Sequence, residues 1–167
     1  MQILNIGCGT QTFGTHRLDI EPTSTTTHIA DVKQGLPFPA ETFDLVYERN
    51  IFEHLPDHYQ HLQEIYRVLK KDGHIILITD NAACIRYYFL GTHTGLYKGH
   101  RTIKDKGDRH FAIFTEEHLR NLFGLTKFTV IQVSYVDTDY VTRFLDKVLR
   151  HILPEISYPR LQVTAQK

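Results

Sequence analysis

The chain has 167 residues, 41% of them hydrophobic and 23% charged, which suits one globular domain with a core of its own. Lysine plus arginine balances aspartate plus glutamate at 19 each, so bulk charge gives no attraction to nucleic acid or to a membrane surface. Two cysteines, Cys8 and Cys84, cannot build a disulfide framework, no apolar run nears the ~20 residues of a membrane span, and no leader is evident, so a cytoplasmic protein is expected.

In chain order, residues 2–7 read as a buried strand ended by Gly7-Cys8-Gly9. Residues 15–20 and 27–31 read as two more short strands, closing near Asp19 and Asp31, with the polar turn "EPTSTTT" between them. "FDLVY" at 43–47 is a fourth strand. A helix follows: Pro56 and Asp57 start it, Leu62, Ile65, Tyr66 and Leu69 recur at i, i+3, i+4 and i+7, and Lys70, Lys71 and Gly73 are expected to end it. "HIILIT" at 74–79 is an apolar strand of the kind buried on both faces.

Residues 80–113 are irregular, and at 34 residues too long for a plain connection, so an insertion at about 81–113 is expected within a single domain spanning 1–167. It carries His93, His100, His110, Tyr87, Tyr88 and Tyr97, with Arg86, Lys98, Arg101 and Arg109, side chains suited to a lid over an acceptor or to a surface loop. Thr115 and the acids after it start a helix over 115–123. A strand at 128–135, an amphipathic helix at 139–153 and a last strand at 160–165 complete the chain. Seven strands alternating with helices, or with loops in their place, imply an α/β fold: a Rossmann-like, mostly parallel sheet in an α/β/α sandwich.

In such sheets ligands sit beyond the carboxyl ends of the strands. Gly7 and Gly9 let the backbone approach a ligand there, Asp19 can accept the two hydroxyls of a ribose, and Asp31 can accept an exocyclic amine such as that of adenine. A nicotinamide dinucleotide is disfavoured. Thr10 to Gly14 is too short for the helix that holds a pyrophosphate, and Asp19 comes twelve residues after Gly7 rather than about 20.

The segments "ILNIGCG", "RLDI", "ADVKQGLPFPAETFDLVYERNIFEHLPD" and "EIYRVLKKDGHIILITD" resemble, in order, the motifs of class I S-adenosylmethionine-dependent methyltransferases. The resemblance covers residues 2–81 best and implies S-adenosylmethionine as cofactor. It assigns Ile6, Gly7 and Gly9, with Cys8 between them, to the methionine moiety, and Asp19, followed by Ile20, to the ribose. Asp31 and the Val32 amide are assigned to adenine, and Asn50 to the surroundings of the sulfonium. The chain departs from the family at Asn5, where an acid is common, at Gln11 and Thr12, where a third glycine is usual, and at Lys70-Lys71-Asp72-Gly73.

The interval between the glycines and Asp19 has a structural meaning. Between Gly9 and Thr15 lie about five residues, which span roughly 17–20 Å when extended, enough to retrace a strand but not to include a helix. One sheet face is therefore expected to lack helices, with the 139–153 helix or a second protomer as its cover. The face beside Ile3, Leu18 and Ile29 is the expected docking surface.

For catalysis, His54 or Glu48 is the expected base, with Glu53 nearby as a helix-orienting residue. His54, His58 and His61 have the helical spacing of zinc ligands, but no acid or cysteine completes them, so no metal is expected. No Asn/Asp-Pro-Pro-Tyr sequence follows strand four, which disfavours amino-directed nucleic-acid methylation; the expected acceptor is an unidentified small molecule or other group. A non-catalytic binding or regulatory module of the same fold is the alternative.

Overall fold

The computed structural model describes residues 1–84, 110–136 and 151–167. Its strands are β1 (Ile3–Ile6), β2 (His16–Asp19), β3 (His28–Ile29), β4 (Phe43–Arg49), β5 (Leu69–Asp80), β6 (Thr129–Val136) and β7 (Arg160–Gln166). They form one sheet in the order β3-β2-β1-β4-β5-β7-β6. The first five strands are parallel, and β7 runs antiparallel between β5 and β6. Three α-helices are described: α1 (His58–Val68), α2 (Glu116–Leu125) and the short α3 (Pro154–Ser157).

Strand parity sorts the core. Leu4, Ile6, Leu18, Val46, Ile75, Leu77, Val163 and Ala165 are buried and stand in register on one face, in one cluster with Leu62 and Ile65 of α1 and Leu119 and Phe123 of α2. On the other face Ile3, Leu45, Tyr47, Ile76 and Ile78 are only half-buried, and Phe13 packs edge-on against Tyr47 at 5.4 Å. Ile29 of β3 is 62% exposed. Leu18 does not share that face with Ile3 and Ile29, as expected from sequence, because it is paired with Ile6 and points into the α1 side. The helix expected at 139–153 falls outside the described residues apart from its last three positions, and the insertion lies outside them over 85–109.

Helix α1 begins as its residues predict: the Asp57 side chain accepts the Gln60 N–H at 2.9 Å. Its end differs. Leu69 leaves helical geometry (ψ 138°) to pair with Phe43 of β4, so Lys70, Lys71 and Gly73 lie in β5 rather than closing the helix. Lys70 binds Asp44 at 2.8 Å, and a Cβ on Gly73 would come within 2.9 Å of the Lys70 carbonyl. That tight bend is what the glycine serves. Helix α2 is capped by Thr115, with His118 completing a capping box.

The links between β1 and β2 and between β2 and β3 contain no helix. The first is held by the Asn5 amide, which donates to Gln11 Oε1 at 3.2 Å and to the Phe13 carbonyl at 3.1 Å. The neutral Asn5, in place of an acid, supplies the donors that this short link needs.

Candidate active site

Gly7 and Gly9 close β1 with φ of +66° and +51°, a backbone region that favours glycine. The Gly9 N–H donates to Asp19 Oδ2 at 2.7 Å, and the Glu21 N–H to Asp19 Oδ1 at 3.1 Å. The carboxylate at the end of β2 thus organises the glycine turn at the end of β1. The Gly9 carbonyl in turn accepts from Thr23 Oγ1 (2.6 Å) and Thr25 Oγ1 (2.9 Å). The hydroxyl run "TSTTT", which sequence reading treats only as a polar turn, replaces a helix as the scaffold of this loop. Its one sequence signal is a cluster of short hydroxyl side chains between two acids.

Beyond these strand ends lies an open cleft lined by Ile6, Gly7, Leu18, Asp19, Ile20, Ala30, Asp31, Val32, Lys33, Ile51, His54 and Leu55. Six of the nine residues assigned to the cofactor (Ile6, Gly7, Asp19, Ile20, Asp31 and Val32) line it together. Ile20 is 59% exposed beside Asp19, an apolar surface on which a flat ring can rest. Asp31 accepts the Lys33 N–H with Oδ1 (3.0 Å), capping the 3-10 turn Val32–Gln34 and fixing its own place at the cleft wall. Cys8 is buried behind the loop, 3.8 Å from Thr26 Oγ1, and Gly9 supports the cleft through Asp19. Asn50 adopts φ +57° just past β4, where its N–H donates to the Ile78 carbonyl at 2.9 Å. Its Oδ1 is enclosed with no hydrogen-bond partner among the described residues.

The two proposed bases part company. His54, in the 3-10 turn Phe52–His54, lines the cleft. Glu48 is fully buried on the α1 side, where its Oε2 shares a hydrogen bond of 2.7 Å with Nε2 of buried His61. His58 packs edge-on against Phe52 and Phe114, and burial lowers its affinity for a proton. The three histidines at helical spacing therefore do not converge: His54 precedes α1, and His61 is committed to Glu48.

Sequence reading gave Glu53 only a supporting part. It is 1% exposed, accepts from Thr79 Oγ1 at 2.8 Å, and its backbone carbonyl accepts the Phe111 N–H at 2.7 Å. Burial pushes its carboxyl up to about 7, with the negative charges of Asp80 and Glu48 adding to the effect. The Phe111 contact brings His110 beside His54, their rings 4.6 Å apart and nearly perpendicular.

A sheet in this order, with ligand-ready glycines and acids at the ends of β1, β2 and β3, has the architecture of class I S-adenosylmethionine-dependent methyltransferases. Solved structures agree at the level of fold. Such an enzyme from Mesorhizobium loti superposes with a TM-score of 0.66 at 18% identity, covering 99% of this chain and 90% of its own. One from Thermotoga maritima gives 0.68 at 19% identity, covering 99% and 82%, and one from Archaeoglobus fulgidus 0.64 at 16%, covering 99% and 86%. None of the curated proteins matches the chain in sequence. Residues 4–77 match the model of a methyltransferase domain family, and the fold is that of the S-adenosylmethionine-dependent methyltransferases among the solved structures.

Proposed function

We propose that the protein transfers the methyl group of S-adenosylmethionine to a small-molecule acceptor that enters beside His54. The observation that carries this reading is the placement of Asp19 and Asp31 in one cleft with Gly7 and His54. Asp19 receives the ribose hydroxyls, Asp31 and the Val32 amide receive adenine, and the exposed side chain of Ile20 supports the ring. Gly7 leaves room for the methionine end, and Asn50, just past β4, stands on the side expected for the sulfonium.

The cofactor supplies an electrophilic methyl group, so the chain's task is to hold donor and acceptor in line at near-attack distance. His54 is positioned to take a proton from an acceptor that carries one at working pH. The test is transfer of labelled methyl from S-adenosylmethionine across a panel of small amines, phenols, thiols and carboxylates, with Asp19→Ala as control. Turnover of one acceptor, lost in the control, supports the reading. S-adenosylhomocysteine binding without turnover of any acceptor favours the non-catalytic module.

A further inference from the structure

Glu53, His54 and His110 bring one potential ligand atom each to within 4.8 Å of the other two, at the C-terminal ends of β4 and β5. Two imidazoles and a carboxylate are a donor set for zinc and neighbouring first-row divalent ions. Donor atoms around a tetrahedral ion with bonds of about 2.0–2.2 Å stand roughly 3.4 Å apart, so small rotations of the two half-buried imidazoles complete the geometry.

Two further observations distinguish this cluster from an ordinary surface network. Glu53 is enclosed, and Asp57 caps the following helix α1, so helix capping does not explain Glu53. The surrounding groups are also placed as outer partners of a metal site. Thr79 donates to Glu53 at 2.8 Å, and Asp80 Oδ2 lies 3.5 Å from His110 Nδ1. Arg160 Nε lies 3.8 Å from Asp80 Oδ1, a cation beside the outer carboxylate.

We propose that Glu53, His54 and His110 bind one first-row divalent cation, with zinc as its representative, leaving coordination positions open toward the cleft that His54 also lines. With His54 a ligand of the ion rather than the base, the acceptor's oxygen, nitrogen or sulfur coordinates there and loses its proton to solvent. It then gives a lone pair to the cofactor's methyl carbon as the carbon–sulfur bond breaks and its electron pair remains on sulfur. This use of the ion rests on the methyl-transfer reading, whereas binding of the ion does not. The substrate class it selects is acceptors with a metal-coordinating heteroatom.

The experiment is competition for Zn2+ between the chelator-stripped full chain and a chromophoric chelator, with Co2+ spectra reporting the ligand set. One equivalent should bind to wild type, and the His54→Ala/His110→Ala double variant should bind at least about a hundredfold more weakly, with its fold checked by circular dichroism. Thr79→Val should weaken binding about 10- to 100-fold through its contact with Glu53. His151→Gln, at an exposed position far along the chain, should leave it unchanged. Absence of Zn2+ binding in wild type, or equal binding in the double variant, overturns the site. S-adenosylhomocysteine titration runs separately. Zn2+ bound with no affinity for that ligand overturns the methyl-transfer reading while leaving the metal site standing.

Discussion

Glu48 and His61 meet at 2.7 Å in the interior between β4 and α1, both almost completely removed from solvent. Their contact joins strand β4, whose carboxyl end leads into the cleft, to the helix that covers the core. Removing one member of such a buried pair leaves the other without its partner and typically costs about 3–5 kcal/mol. Glu48→Ala should lose stability on that scale in urea unfolding while calorimetry shows unchanged affinity for S-adenosylhomocysteine. A stable variant with impaired methyl transfer would return Glu48 to catalysis.

Asp19 holds the Gly9 and Glu21 amides and faces the cleft. Hydrogen bonds to a charged group contribute about 1.5–3 kcal/mol each. Asp19→Ala should weaken S-adenosylhomocysteine by an amount in that range, read by calorimetry, while adenine alone should be affected far less. Equal losses for both ligands would detach Asp19 from the ribose.

Gly7 and Gly9 differ in a way that substitution can expose. An added Cβ at Gly9 meets nothing within 4 Å, so Gly9→Ala should cost only the backbone strain of a positive φ, about 1–2 kcal/mol. At Gly7 the same Cβ would overlap the end of the Ile51 side chain, a wall of the cleft. Gly7→Ala should therefore lose more stability and also lose cofactor affinity. Thermal unfolding and ligand titration of the two variants make the comparison, and identical behaviour would contradict it.

Glu64 ties α1 to the loop before β4. Arg67 donates to both of its oxygens at 2.8 and 2.7 Å, the Leu36 N–H donates at 3.0 Å, and Arg67 reaches on to the Phe38 carbonyl. The Arg67 hydrogen bonds lower the Glu64 pKa from its ordinary 4.5. A lowered carboxyl pKa means that the folded state holds its proton less tightly than the unfolded state. The resulting stability is present above about 4.5 and fades as pH falls through the lower folded value. Urea midpoints should separate wild type from Glu64→Gln at pH 7 and bring them closer as the pH is lowered toward 3. A gap that stays constant with pH would remove the ionic part of the contact.

Much of the cradle is legible in the sequence because it is local. Gly7, Asp19 and Asp31 each stand at the end of a short apolar run, and strand ends are where an open α/β sheet presents its ligands. The spacing from Gly7 to Asp19 also excludes a helix between β1 and β2, since chain length alone limits what the link can contain. Tertiary structure decided the rest. Glu48, His54 and Glu53 lie within six residues of one another, yet strand parity and the 3-10 turn send the first into the core, the second to the cleft and the third against Thr79. His110 reaches His54 only because the Phe111 amide bonds to Glu53 across 58 positions of chain (53 to 111), a pairing with no local periodicity to announce it. Lys70 and Lys71 look like the end of a helix until Leu69 finds Phe43, where sheet pairing outweighs helix propensity. Local backbone preference and strand ends mark where a cofactor can lie, whereas partners distant in sequence determine which side chains face it.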